Sequence, residues 1–146
     1  MSCFKHPNNV VAKPFERHPR GRIHLTSLLL VDDDATLLEV LFELFSQEHS
    51  CDTAATAEEA FELLGPKEYD LVVTDISMPG MSGEVLLGYI KTNSPGTPVI
   101  FISGSKDREL AQRLKVRGAS GFLSKPFDLA EISEKVARAL EGRWRS

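Results

Sequence analysis

Five polar or charged residues stand at the ends of short apolar runs along this chain. They are Asp32, Asp33, Asp75, Ser103 and Lys125. If the runs are parallel strands of one sheet, their carboxyl ends bring three carboxylates, a hydroxyl and an ammonium group to one edge. Clustered carboxylates repel one another unless a cation neutralises them, and oxygen-only ligands favour Mg²⁺, with Mn²⁺ also compatible. The pattern predicts a site for a divalent cation and a phosphoryl group.

Within this group the residue types suggest different roles. Asp75 is the candidate nucleophile, because a carboxylate that attacks phosphorus forms an aspartyl phosphate when the negative charges are screened. Lys125 supplies a positive charge for that screening, and Ser103 offers a hydroxyl to the phosphoryl group. Simpler interpretations remain open at this point: Asp34 and its neighbours suit a helix N-terminus, and a strand-end serine often bonds to local backbone.

The elements that must position these residues follow from the alternation of apolar runs and amphipathic segments after residue 26, which is typical of βα units. Strands are predicted over residues 28–31, 51–55, 71–74, 99–102 and 121–123. A first helix is predicted over about 35–48 and a third over about 82–92. Caps predict where the others begin: Thr56 with Glu59, Asp107, and Asp128 with Glu131. The fold class is therefore α/β, a (βα)₅ doubly wound sheet of five parallel strands.

Two of these helices have specific predicted core faces. In the third helix, Val85, Leu86 and Ile90 are expected to point inward. In the fifth, the expected apolar face consists of Leu129, Ile132, Val136 and Leu140.

Composition divides the chain into two predicted parts. Residues 1–26 carry five basic residues and one acidic residue, several prolines and no regular period, which predicts a flexible basic extension. Residues 27–146, the predicted domain, hold the remaining 12 basic and 20 acidic residues, a net charge of −8. An acidic domain argues against nucleic acid as its main partner. The longest apolar run, over residues 28–31, is too short to span a bilayer. Cys3 and Cys51 with no signal peptide predict reduced thiols in the cytoplasm.

From Ser27 to about Trp144 the chain resembles the receiver domain of bacterial two-component response regulators. The resemblance rests on the first-strand motif at residues 28–33, the phosphoacceptor strand and loop at 70–83, Ile102-Ser103-Gly104, and Lys125-Pro126-Phe127. It implies a flavodoxin-like receiver fold, in a stand-alone protein similar to the chemotaxis receivers. Such a protein is a signalling protein that assists its own phosphotransfer and dephosphorylation, rather than an enzyme with external substrates.

The resemblance also implies specific site residues. Asp75 would accept the phosphoryl group from a phosphohistidine of a sensor histidine kinase or a histidine phosphotransfer protein. Asp33 and Asp75 would bind Mg²⁺ directly, Asp32 would help through water, and the backbone carbonyl of Ser77 would be a further ligand. Lys125 matches the family's lysine.

The family couples phosphorylation to a change of surface. The resemblance implies that Ser103 moves toward the phosphoryl group and that Phe122, on the last strand, turns inward behind it. Partners would read the change on the face of the fourth helix, fifth strand and fifth helix. Phe122 as a simple core aromatic is the open alternative.

Two small residues suggest a short-lived aspartyl phosphate. Ser77 stands two residues after Asp75, where a larger Asn, Met or Arg is often seen in the family, and Ser105 stands two residues after Ser103. Small side chains at both positions are expected to leave space for an attacking water.

Parts of the sequence are also compatible with two other functions. Residues 32–36 also satisfy the Asp-x-Asp-x-Thr opening of haloacid-dehalogenase-like phosphatases, with Asp32 as nucleophile and Asp34 as general acid. That interpretation leaves the motif after Asp75 unexplained. The other alternative is an interaction module that has lost phosphorylation, which gives the acidic cluster no physical purpose.

Because the sequence ends shortly after the fifth helix, output is expected through a downstream protein target, with no direct binding to DNA and no membrane contact. Three modes of output remain open: a switch acting on a target, a phosphorelay shuttle, and a phosphate sink.

Overall fold

The computed structural model describes residues 16–17, 23–104 and 108–145. Its main sheet has five strands, which we name β1 to β5 in chain order: Ser27–Val31, Ser50–Ala54, Leu71–Asp75, Val99–Ser103 and Gly121–Ser124. The helices α1 to α5 are Ala35–Phe45, Ala57–Leu64, Gly83–Asn93, Arg108–Val116 and Leu129–Arg145. Strands and helices alternate, as expected for βα units. The predicted (βα)₅ fold is confirmed.

The sheet is parallel throughout, with the strand order β2-β1-β3-β4-β5. The order reverses between β1 and β3, which lie side by side at its centre. Strands β1, β3 and β4 are almost wholly buried because helices cover both faces, which explains their continuous apolar runs.

Two apolar core layers lie between the sheet and the helices, one on each face of the sheet. Helices α1 and α5 pack on one face of the sheet through residues such as Leu41, Phe45 and Ile132. Helices α2, α3 and α4 cover the other face through residues such as Ala60, Leu87 and Leu114. The doubly wound arrangement therefore buries both faces and leaves the strand ends accessible.

Local capping explains where several helices begin. The Asp34 side chain accepts hydrogen bonds from the N–H groups of Thr36 and Leu37 at the start of α1. At α5, Asp128 and Glu131 each accept from the other's backbone N–H, at 2.9 and 3.0 Å. The predicted α1 is too long, since the helix ends at Phe45 rather than near residue 48.

Two expected core positions are wrong. Val85 is 53% exposed, and the buried stripe of α3 runs through Gly83, Leu86, Leu87 and Ile90. Leu129, the first residue of α5, is 44% exposed. Both errors have one cause: several apolar stripes were compatible with the helical period, and packing selects one.

Some predictions fall outside the described residues. These are the Asp107 cap, the position of Ser105 and most of residues 1–22. Within the extension, Glu16–Arg17 and Ile23–His24 form a two-residue antiparallel ladder. Across the residues that the structure describes, no helix combines the length and the apolar character needed to cross a bilayer.

Candidate functional site

The predicted polar residues lie at the carboxyl edge of the sheet. Asp32 and Asp33 follow β1, Asp75 ends β3, Ser103 ends β4, and Lys125 follows β5. These four strands are consecutive in the sheet, and β1 and β3 flank the reversal of strand order. Open α/β sheets bind ligands at such a reversal, because the loops diverge there and leave a crevice.

Three carboxylates form the centre of the site. Oxygen atoms of Asp32, Asp33 and Asp75 all lie within 4.8 Å of one another. Asp32 is 1% exposed and Asp75 is 7% exposed, whereas Asp33 is open to solvent. Oδ2 of Asp32 is buried and accepts no hydrogen bond from the described residues. A buried, unsatisfied oxygen in an all-carboxylate cluster fits a hard divalent cation such as Mg²⁺.

Lys125 balances two of these charges. Its Nζ lies 3.5 Å from Oδ2 of Asp32 and 3.5 Å from Oδ2 of Asp75. Both distances are at the outer limit of hydrogen bonding, so we describe the contacts as ion pairs. Burial lowers the pKa of Lys125, but the charges of Asp32 and Asp75 outweigh it and the pKa is raised. The ammonium group therefore stays protonated at neutral pH.

The charged form of Asp32 is disfavoured by its surroundings in the site. Burial raises its pKa, and the nearby charge of Asp75 raises it further. The N–H of Asp34 and the charge of Lys125 act in the opposite direction without cancelling the shift. The folded domain thus holds a carboxylate that is destabilised in its charged form, and a bound cation would relieve this cost.

Two backbone N–H groups orient the acidic side chains. The N–H of Asp34 donates to Oδ1 of Asp32 at 2.9 Å, and the N–H of Ser77 donates to Oδ1 of Asp75 at 3.3 Å. Sequence reasoning missed both donors. The available signal was the aspartate itself, because aspartate commonly accepts from the N–H two residues later in an Asx turn.

The remaining predicted residues surround this centre. Ser103 is 7% exposed, and Ser77 is exposed in the two-residue strand Ser77–Met78, which follows Asp75 and pairs antiparallel with Met81–Ser82. Phe122 is partly buried on the α2–α4 side, with its ring 5.9 Å from that of Phe101. Ser103 pairs in register with Ser124, and Phe122 pairs with Phe101, so Ser103 and Phe122 belong to the same face of the sheet.

Backbone hydrogen bonds fix the ends of the strands that carry the site. The N–H of Lys125 donates to the carbonyl of Ser103 at 2.8 Å, and the N–H of Asp32 donates to the carbonyl of Ala54 at 3.1 Å. The ladder therefore extends one residue beyond the strands. It holds the main chain of Asp32 and Lys125 in place while their side chains face the cluster.

Comparisons with known proteins agree with this geometry. The chain is 35% identical over 117 residues to the response regulator protein FleR of Pseudomonas aeruginosa, covering 80% of this chain and 25% of FleR. It is 38% identical over 112 residues to the DNA-binding transcriptional regulator NtrC of Escherichia coli, covering 76% of this chain and 24% of NtrC. The chain thus spans about a quarter of the length of these curated relatives.

A solved structure shares the fold. Response regulator protein TrrA of Thermotoga maritima, in complex with Mg(2+)-BeF, superposes with a TM-score of 0.70 at 31% identity, covering 79% of this chain and 99% of TrrA. The family model described as the response regulator receiver domain matches residues 28–137. By sequence, topology and the acidic cluster at the carboxyl edge of its sheet, the chain belongs to the response regulator receiver domain family.

Proposed function

We propose that Asp75 accepts a phosphoryl group and that its phosphorylation changes which proteins the domain binds. One observation carries the proposal: the nearly buried carboxylate of Asp75 lies between a backbone N–H donor and the Lys125 ammonium, within a carboxylate cluster. A purely structural aspartate has no need of two like-charged neighbours.

The cluster is suited to hold Mg²⁺. Asp33 and Asp75 would bind the cation directly, Asp32 would assist through water, and the carbonyl of Ser77 would complete the protein's share of the ligands. When bound, the cation screens negative charge on the carboxylate and on the incoming phosphoryl oxygens. The complex of the related TrrA with Mg(2+)-BeF supports this assignment.

The transfer step follows from the positions of Asp75 and Lys125. A carboxylate oxygen of Asp75 attacks phosphorus, the new P–O bond forms as the P–N bond of the donor phosphohistidine breaks, and the neutral imidazole leaves after protonation. Lys125 Nζ, now 3.5 Å from Asp75, stabilises the charge that builds on the phosphoryl oxygens. The Asp75 carboxylate and the Lys125 ammonium group need only small movements, because both already lie at the carboxyl edge of the sheet.

The response to phosphorylation is assigned to Ser103 and Phe122. In this proposal the Ser103 hydroxyl donates to a phosphoryl oxygen, and the inward turn of Phe122 changes the surface formed by α4, β5 and α5. The partial burial of Phe122 supports a side chain that has room to move. Phosphorylation shifts this equilibrium by the difference in its interactions with the two states.

The proposed partners are proteins. A sensor histidine kinase or histidine phosphotransfer protein would donate the phosphoryl group, in the cytoplasm where such donors are formed from ATP, and a downstream protein would read the result. Residues 27–146 carry a net charge of −8, which disfavours contact between this domain and a nucleic acid backbone.

Phosphorylation by acetyl phosphate tests the assignment. We expect the chain, incubated with acetyl phosphate and Mg²⁺, to gain the mass of one phosphoryl group, and hydroxylamine to remove it, as it does from acyl phosphates. Asp75→Asn should abolish the adduct. Asp34→Asn is the matched control, because Asn also caps helices and Asp34 accepts hydrogen bonds from the first turn of α1.

The same pair of variants separates the alternatives. A haloacid-dehalogenase-like phosphatase would keep its adduct in Asp75→Asn and lose turnover in Asp34→Asn. An interaction module without phosphorylation would give no adduct in the wild-type chain. Pull-down with and without beryllofluoride then identifies partners that depend on the state of Asp75.

A further inference from the structure

A groove lies between the C-terminal end of α1 and the last part of α5, at the opposite end of α1 from the acidic cluster. Its volume is about 460 Å³. Its floor is apolar and consists of Phe45, Val136 and Leu140, each at most 5% exposed. Its rim carries two exposed acidic residues, Glu48 and Glu141. The groove therefore suits an apolar side chain flanked by positive charges.

The basic N-terminal extension contains such a segment. Lys13, Phe15 and Arg17 alternate with Pro14 and Glu16. In an extended chain, alternate residues share one face, so the aromatic ring and the two cations would point the same way. This arrangement complements an apolar floor with an acidic rim. The proposed phosphoacceptor function assigns no role to the extension.

The last two residues of this segment, Glu16 and Arg17, belong to the described part of the extension. Glu16 pairs with His24 and Arg17 with Ile23 in the antiparallel ladder of the extension.

The domain side of this connection is fixed by a backbone hydrogen bond. Leu25 precedes Thr26, whose carbonyl accepts from the N–H of Ser50 at 2.8 Å. Ser50 follows His49, which lines the groove. Only a few residues therefore separate the ladder from the rim, a distance that an extended chain spans at about 3.3 Å per residue.

We infer that residues 13–17 dock into this groove within the same molecule, with Phe15 on the apolar floor and Lys13 and Arg17 facing Glu48 and Glu141. Docking in cis costs little entropy, because the tether keeps the segment at high effective concentration. The docked segment would cover the α1/α5 face and compete with any protein that binds there. This inference is independent of phosphorylation at Asp75.

Amide resonances and hydrogen exchange of the full-length ¹⁵N-labelled chain test the inference. Phe15→Ser should shift the amides of His49, Val136 and Leu140 and speed their exchange several-fold, because the ring no longer covers them. Phe4→Ser, an identical change farther along the extension, is the matched control and should leave these amides unchanged.

Charge reversal tests the proposed pairing. Lys13→Glu with Arg17→Glu should release the segment, as should Glu48→Lys with Glu141→Lys. Combining the four substitutions should restore the wild-type resonances. Raising the salt from about 0.1 to about 1 M should weaken docking, since the Debye length falls from about 10 to about 3 Å.

Three results would overturn the inference. Perturbations confined to the extension itself would show that Phe15 does not contact α1 and α5. Failure of the combined charge reversal to restore the resonances would contradict the pairing. Changes that grow with protein concentration would show that the groove binds the extension of a second copy rather than its own.

Discussion

The Lys125 ammonium group lies 3.5 Å from Oδ2 of Asp75, the proposed phosphoacceptor, and at the same distance from Oδ2 of Asp32. One cation thus balances two carboxylates from different strands. It is available to stabilise a phosphoryl group on Asp75, and its positive charge opposes the binding of a second cation nearby.

Replacing Lys125 should therefore affect transfer and cation binding in opposite directions. In Lys125→Met, phosphorylation by acetyl phosphate should slow about 10²-fold, the usual cost of losing one stabilising group in a transition state. Mg²⁺ should bind several-fold more tightly, because repulsion from the ammonium is removed. Adduct formation by mass spectrometry and Mg²⁺ titration measure the two effects. Lys115→Met, on the exposed surface of α4, is the control and should change neither.

Asp32→Asn should stabilise the cation-free domain. Burial raises the pKa of Asp32, so its charged form destabilises the fold above that pKa, and the penalty fades as pH falls through it. In EDTA at neutral pH, the variant should therefore melt at a higher temperature than wild type, measured by thermal unfolding.

The difference in melting temperature between Asp32→Asn and wild type in EDTA should shrink toward acid pH. Mg²⁺ should stabilise the variant much less than it stabilises wild type. Asp33→Asn is the comparison, because Asp33 is exposed. This variant should lose Mg²⁺ binding, but its melting temperature in EDTA should rise less than that of Asp32→Asn. Equal melting temperatures of wild type and Asp32→Asn in EDTA at every pH would contradict the electrostatic argument.

Ser77→Met should lengthen the life of the aspartyl phosphate. Ser77 is exposed and its N–H donates to Asp75, so a larger side chain there would obstruct an attacking water. We expect dephosphorylation to slow several-fold, measured as loss of the adduct after acetyl phosphate is removed. Ser77→Ala is the size-matched control and should decay like wild type. Adding a bulky residue at position 105 should slow decay further; no change in the double variant would exclude this role.

Ser103→Ala should uncouple the switch from the modification. The adduct on Asp75 should still form, but beryllofluoride should no longer alter amide exchange in β5 and α4, because the variant lacks the hydroxyl that we propose donates to the phosphoryl group. Ser124→Ala, at the register partner on the next strand, should keep the wild-type response. An unchanged response in Ser103→Ala would assign the coupling to another residue.

Two glycines of α3 should respond oppositely to alanine. A Cβ at Gly83 would lie 2.8 Å from Cε1 of Phe101 and 3.0 Å from the backbone of Ile76, whereas one at Gly88 meets nothing within 4 Å. Gly83→Ala should therefore lower the free energy of unfolding by about 1–3 kcal/mol, the cost of overpacking. Gly88→Ala should raise it by about 0.5–1 kcal/mol, since alanine is the better helix former. Urea unfolding measures the free energy of unfolding of both variants. An unchanged free energy of unfolding in Gly83→Ala would show that Phe101 moves freely.

Features governed by neighbouring residues could be predicted from the sequence. The caps at Asp34, Thr56 and Asp128 are hydrogen bonds within a few residues, so their spacing alone was sufficient. The placement of Asp32, Asp75 and Lys125 at one edge also followed, because parallel strands separated by helices bring their carboxyl ends together.

Features governed by packing could not be predicted in this way. Val85 and Leu87 both fit a helical stripe, and the helix buries Leu87 because Gly83 allows α3 to approach Ile76 and Phe101 closely. The partial burial of Phe122 likewise depends on which side chains face it across the sheet.

The sequence by itself thus determined the order of the elements, the caps and the presence of a carboxylate cluster, since these depend on local hydrogen bonding and on the period of apolar residues. Only the tertiary structure decided that one lysine lies equally close to two aspartates, that a buried Asp32 oxygen accepts no hydrogen bond from the described residues, and that an acidic-rimmed groove forms between α1 and α5. Each of these depends on distances between residues far apart in the chain, which side-chain packing alone sets.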